Sequence, residues 1–155
     1  HLEDSGIPTG WTVYPPRDER IDVFTVTRPV HHGYRSLLIE TSRPWASVIT
    51  GQHPLTLNTR QRGMAWVSIP RKQPGEAVLR IDYLSKDGNT VGSSPPAIHR
   101  WTGDSSDAAW TLLRVESRAA EFPVAVRMQM IAAIRGGGVT YWDDFQLFSE
   151  PMDAP

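Results

Sequence analysis

Apolar and polar positions alternate along this chain in short runs with a period of two. In Gly63 to Pro70, Ala65, Val67 and Ile69 share one face while Met64, Trp66 and Ser68 share the other, so Trp66 is expected to point away from a core. Between Glu76 and Leu84, Leu79, Ile81 and Tyr83 alternate with Arg80 and Asp82. After Phe122-Pro123, Val124, Val126, Met128 and Met130 alternate with Ala125, Arg127, Gln129 and Ile131. Alanine and methionine let a helix compete for residues 124–134, but the alternation and the preceding proline favour a strand. Further strands are predicted over 11–14, 21–27, 36–41, 45–50, 110–116 and 139–147, with a short edge strand at 55–57. Lys86-Asp87-Gly88-Asn89 is an Asp-Gly hairpin turn that returns the chain into residues 90–93. Residues 94–109 are polar and turn-rich and read as a long loop with a short strand inside it at most.

Thirteen prolines and twelve glycines keep these runs short, which argues against long helices. Eight to ten short strands at regular spacing, in a chain of 155 residues, predict a single domain of all-β class. The expected architecture is a two-sheet antiparallel β-sandwich or jelly roll.

Composition narrows the function classes. Apolar residues are 39% and charged residues 21% of the chain, a globular balance. A net charge of -1 supplies no field that would gather nucleic acid or anionic lipid, so neither is an expected partner. Without cysteine there is no disulfide framework, thiolate nucleophile or sulfur-ligated metal. No run approaches the roughly 18 apolar residues of a membrane helix, and the chain is expected to be soluble. His1-Leu2-Glu3 is what a tag and cloning junction often leaves, so Glu3 is given less weight.

Five landmarks then occur in order: Pro8-Thr9-Gly10-Trp11; His32-Gly33-Tyr34-Arg35-Ser36-Leu37; Leu79-Arg80-Ile81-Asp82-Tyr83-Leu84 with Asp87-Gly88; Trp110-Thr111-Leu112-Leu113; and Gly138-Val139-Thr140-Tyr141-Trp142-Asp143-Asp144-Phe145-Gln146-Leu147. Together they resemble the jelly-roll carbohydrate-binding modules of galactose-binding-like fold, of the xylan- and β-glucan-binding type found on polysaccharide-degrading enzymes. The resemblance covers about residues 8–148; residues 42–62 follow the pattern poorly and 94–109 have no counterpart in it. It implies two face-to-face sheets, one slightly concave. It also implies a monomeric, non-catalytic module that binds a polysaccharide or oligosaccharide and targets a glycoside hydrolase or lyase domain of the same bacterial parent chain, secreted or periplasmic. The competing class is a protein-interaction or adhesion ectodomain of the same fold without sugar binding.

Sugar rings stack C–H patches on indole faces while their hydroxyls seek charged hydrogen-bonding partners. On the alternation above, Trp66, Arg80, Asp82, Arg127 and Gln129 are expected to point outward together as a sheet-face site; the bland reading is ordinary exposed strand residues. A second candidate lies at the loop rim, with Trp45, His99, Arg100 and Trp101, against the reading that the two tryptophans pin loops onto the core. Trp11 and Trp110 are assigned to the core. The resemblance further implies a structural calcium, with Asp144 or Asp143 and Glu3 as carboxylates and His32 and Arg35 as backbone donors; the alternative is a carboxylate pair bonded to the neighbouring turn or solvated. Catalysis by this domain is not expected. Asp143 and Asp144 would point to opposite faces of a regular strand and make a poor acid/base pair, His31-His32 reads as a solvated loop pair, and no nucleophile elbow or phosphate loop is present.

Overall fold

The computed structural model describes residues 10–15, 21–26, 31, 36–69, 74–102 and 107–152. Twelve strands occur among them: β1 (Thr12–Tyr14), β2 (Ile21–Val26), β3 (Ser36–Thr41), β4 (Trp45–Ile49), β5 (His53–Pro54), β6 (Thr59–Ile69), β7 (Pro74–Leu84), β8 (Thr90–Ser93), β9 (Ala97–Thr102), β10 (Asp107–Arg118), β11 (Arg127–Arg135) and β12 (Gly138–Pro151). A 3-10 turn, Ala119–Glu121, is the only helical element among the described residues.

The strands form two antiparallel sheets, as the alternation predicts. One has seven strands in the order β1-β4-β11-β7-β8, with β5 also on β11 and β9 also on β7. The other has five, in the order β10-β6-β12-β3-β2. Their inner faces meet in one apolar core. Ala65, Val67 and Ile69 of β6, with Trp142 of β12, pack against Leu79, Ile81 and Tyr83 of β7 and Met128 and Met130 of β11. Each fully buried side chain of this size contributes about 1.5–3 kcal/mol by leaving water.

One polar network sits inside the core and ties the sheets together. The Tyr83 hydroxyl bonds to Gln61 Oε1 at 2.9 Å and to the Ser117 hydroxyl, while Gln61 Nε2 donates to Thr59 Oγ1 at 2.7 Å and Ser149 Oγ at 2.9 Å. Burial pushes the Tyr83 phenol above its ordinary range, and Glu121 adds to the rise while the Ser117 hydrogen bond opposes it.

Turn chemistry matches the sequence at one hairpin and at one crossing between the sheets. Gly88 takes φ +84° in the Asp87-Gly88 turn, closed by Ser85 O accepting from Gly88 N at 2.9 Å. Gly136, Gly137 and Gly138 all have positive φ, which only glycine adopts readily, and they reverse the chain from β11 into β12.

Four expectations change. The edge strand predicted at 55–57 is instead His53–Pro54, paired with β11. Residues 94–109 are not a long loop: β9 pairs along β7 from Leu79 to Pro74, and β10 begins at Asp107. Val124 and Val126 are exposed rather than inward, because β11 starts only at Arg127 and the inward alternation begins at Met128. Trp11 does pack against the core, but Trp110 does not belong to it; it lies beside His31, with ring centroids 5.7 Å apart.

Candidate functional site

Strand pairing splits the predicted sheet-face cluster. Trp66 is on β6 of the five-stranded sheet, whereas Arg80, Asp82, Arg127 and Gln129 are on β7 and β11 of the seven-stranded one. All five do point outward, but from opposite sides of the sandwich. The alternation sets inward or outward; which sheet a strand joins depends on long-range pairing.

On the five-stranded side Trp66 is covered. The His31 ring stacks on it at 4.1 Å between centroids and 17° between planes. The His31 backbone N–H donates to Asp143 Oδ2 at 2.8 Å, and His31 Nδ1 hydrogen-bonds Asp144 Oδ2 at 2.6 Å. His31 is thus exposed to solvent yet bonded and stacked, and His32, the other member of the predicted pair, lies outside the described residues. Asp143 and Asp144 do not take opposite faces, because a bulge between Asp143 and Gln146 inserts an extra residue and Asp144 turns to φ +55°. Aspartate tolerates that left-handed conformation better than most residues. Both carboxylates thereby reach one histidine.

Glu3, His32 and Arg35, the other predicted calcium ligands, lie outside the described residues. Among the described residues no three His, Cys, Asp or Glu side chains come together as a metal site. Asp143 Oδ1 also accepts the Asp144 N–H at 2.8 Å, so three carboxylate oxygens of the pair are in use within the protein. The described donors alone fall short of the six to eight oxygens of a calcium sphere.

Farther along the same face, Arg60 and Arg62 both pair with Glu150, at 3.0 and 3.1 Å, and Glu116 lies 3.5 and 3.7 Å from them. A groove of about 440 Å³ beside them is lined by Arg62, Gly63, Met64, Arg114, Val115 and Glu116, none of them aromatic.

The outer face of the seven-stranded sheet is arranged differently. Towards one end of it lies Trp45, the first residue of β4 and opposite Arg135 at the end of β11, packed on a small apolar floor of Val78, Ile131 and Ala133 with Ile49. Two guanidinium groups lie over the indole: Arg80 Cζ is 5.8 Å and Arg135 Cζ 5.7 Å from its ring centroid. Each arginine is held by a carboxylate on β7. Arg80 Nε donates to Asp82 Oδ1 at 2.9 Å, and Ser93 Oγ donates to the same oxygen at 2.7 Å. Arg135 Nη1 donates to Glu76 Oε1 at 2.9 Å, and Arg100 Nε to Glu76 Oε2 at 2.7 Å. The Arg100 hydrogen bond is the main cause that holds Glu76 below the usual carboxylate range; the Arg100 and Arg135 charges and the Arg135 bond add to it, and desolvation opposes it. Gln129 pairs across from Asp82, and Arg127 Nη1 donates to Gln52 Oε1 at 3.3 Å.

The loop-rim candidate separates in the same way. Trp45 joins Arg80 on the sheet face. His99 and Trp101 point to the other side of β9: Trp101 is 7% exposed within the core cluster, and the His99 ring lies 6.0 Å from it. Neither shares the Trp45 face. Glu76 and Arg135 belong to that face and are absent from the predicted site, although a signal was there. Glu76 is in phase with Arg80 and Asp82 on β7, and Arg135 with Arg127 and Gln129 on β11.

No protein-family model and no curated protein matches the sequence. Solved structures share the fold. The CBM22-1 xylan-binding domain of Paenibacillus barcinonensis Xyn10C has a TM-score of 0.65 at 14% identity, over 96% of this chain and 90% of that one. The CBM22-1 and GH10 modules of Clostridium thermocellum xylanase 10B, complexed with xylohexaose, give 0.68 at 12% identity, over 94% of this chain. A Stig cyclase, Fisc, from Fischerella sp. TAU gives 0.62 at 17% identity, over 94% and 87%. This chain spans 27% of that xylanase chain and 20% of a bacteriophage CBA120 tailspike domain that it also matches. The architecture is thus that of the carbohydrate-binding β-sandwich modules, as the sequence resemblance implied, and cyclases use it too.

Proposed function

We propose that this protein is a non-catalytic carbohydrate-binding domain that takes a polysaccharide or oligosaccharide on the outer face of its seven-stranded sheet. The observation that carries the reading is Trp45, a half-buried indole on the outer sheet face with the Arg80 and Arg135 guanidinium groups over its ring, both arginines fixed by carboxylates. An indole supplies the stacking surface for a pyranose, and oriented guanidinium groups supply hydrogen-bond donors for its hydroxyls. The shared fold with xylan-binding domains supports it.

Fold alone does not separate binding from catalysis, but the acids on this face argue for binding. Glu76 and Asp82 are six residues apart on β7, about 20 Å, well beyond the roughly 5–9.5 Å of a glycosidase pair. As part of a larger extracellular or periplasmic enzyme, the domain would raise the local concentration of substrate around a glycoside hydrolase or lyase domain.

The test is a polysaccharide panel by affinity electrophoresis, with Trp45→Ala and Trp66→Ala beside the parent protein. Retardation that disappears in Trp45→Ala and persists in Trp66→Ala is expected. If no glycan binds the folded domain, the carbohydrate reading falls and the protein-interaction class replaces it; if Trp45→Ala binds as well as the parent, the site is elsewhere. Calcium is tested separately. A melting midpoint that falls with chelator and recovers with added calcium supports an ion at Asp143 and Asp144, and an unchanged midpoint removes it.

A further inference from the structure

Resting on the carbohydrate reading, we infer that the Trp45 face selects an acidic glycan, a polymer whose sugars carry uronate carboxylates. Among the described residues of this face four guanidinium groups, Arg80, Arg100, Arg127 and Arg135, meet two carboxylates, Glu76 and Asp82. The imbalance is local. The chain as a whole carries a net charge of -1, and the outer face of the five-stranded sheet sets Arg60, Arg62, Arg114 and Arg118 against Glu40, Glu116, Glu150, Asp143 and Asp144.

The two carboxylates engage only part of what the arginines offer. Asp82 accepts from Nε of Arg80, and Glu76 accepts from one η nitrogen of Arg135 and from Arg100. Arg127 donates to a neutral amide oxygen, that of Gln52, at 3.3 Å. A guanidinium has five N–H donors in a planar fork that matches a carboxylate in bidentate fashion, so most of this capacity is not consumed by Glu76 and Asp82. Neutral hydroxyls do not call for paired cations; a carboxylate does.

Position along the sheet favours a polymer over a single sugar. Arg127, Ile131 and Arg135 follow each other on β11 at four-residue steps of about 13 Å, and Ile131 pairs with Arg80 on the neighbouring strand. A chain running along β11 therefore passes a guanidinium at each step, with the Trp45 ring close to the last two.

The experiment compares polygalacturonate and glucuronoxylan with their carboxyl-reduced counterparts by isothermal titration calorimetry. An affinity about tenfold or more higher for the acidic form of each pair is expected, falling as salt is raised. Arg127→Gln should lower affinity for the acidic form more than for the reduced form, narrowing the preference; its partner is neutral, so the variant is expected to fold. Equal binding of acidic and reduced polymers, or binding of the reduced form alone, overturns the acidic preference and leaves the carbohydrate function standing. Binding of neither form overturns the acidic preference, and the wider polysaccharide panel then decides whether the carbohydrate reading falls with it. If duplex DNA binds as tightly as polygalacturonate, and Trp45→Ala retains that binding, the face is a general polyanion surface and the inference fails.

Discussion

On one side of the sandwich Trp66 lies beneath a stacked histidine, and Arg60 and Arg62 share Glu150 and Glu116. On the other, Trp45 sits on an apolar floor with Arg80 and Arg135 over its ring, each anchored at one end by a carboxylate. Both sides contain tryptophan, arginine and acid on alternate strand positions. What differs is who occupies the indole face. His31 does so at Trp66, fastened there by Asp143 and Asp144, whereas at Trp45 the Arg80 and Arg135 guanidinium groups lie over the ring. The same residue types are thus capped by an imidazole on one face and by guanidinium groups on the other, and the proposed binding site is the latter.

Trp45→Ala should break this contrast most strongly. Loss of a stacking anchor from a binding face costs about 2 kcal/mol or more, roughly thirtyfold in Kd. The thermal midpoint should fall as well, because the indole packs on Val78, Ile131 and Ala133, so Kd is compared at a temperature where both proteins are folded. Titration calorimetry with the best-binding glycan checks the first expectation and a thermal melt the second. An unchanged Kd would make Trp45 part of the scaffold and erase the distinction between the faces.

Trp66→Ala should do the reverse at slightly smaller scale. Removing the ring under His31 takes away an aromatic stack and partly buried packing, worth about 2 kcal/mol of stability, with Kd unchanged. A urea titration reads the loss. A drop in glycan affinity without a drop in stability would place recognition on the five-stranded side instead.

Much of this architecture was legible from alternation because inner faces are apolar and outer faces polar over most strands. β3 matches its predicted span, and β6, β7 and β11 carry the predicted facing of Ala65, Leu79 and Met128. β9 was obscured for a physical reason. Its outward positions include Ile98, 42% exposed, and its inward ones His99 and Trp101, so polarity reads against the facing. The site was half legible. Outward arginines and the indole of Trp45 could be picked out, but joining Trp45 to Arg80 rather than Trp66 to Arg80 required knowing that β4, β11 and β7 are neighbours. The shared approach of Asp143 and Asp144 to His31 was hidden because the bulge that permits it leaves the apolar pattern intact.

Tyr83→Phe probes what lies between the faces. The substitution leaves Gln61 Oε1 and the Ser117 hydroxyl without their shared buried partner, a loss of about 1–2 kcal/mol. Both faces rest on this core, yet neither contains Tyr83, so the urea midpoint should fall while Kd stays constant. A changed Kd would mean that the network positions the binding face and is more than a tie between sheets.

The smallest effect concerns pH, and it belongs to the Trp45 face through Glu76. Arg100 of β9 and Arg135 of β11 face this carboxylate and hold its folded-state value below the ordinary 4.5. A depressed value means that the folded state keeps its negative charge when the unfolded chain would take a proton. The resulting stability is present above about pH 4.5 and is lost as pH falls through the lower folded value. Glu76→Gln should therefore flatten the acid limb of midpoint against pH while leaving the neutral plateau nearly unchanged. Tyr83 gives the opposite limb: its folded-state value is raised above 10, so its contribution is complete below that pH and is lost as pH climbs beyond it. Tyr83→Phe should flatten only the alkaline side. If Glu76→Gln leaves the acid limb as steep as in the parent protein, the arginines are not holding that carboxylate, and the ordered charge on the Trp45 face loses its support.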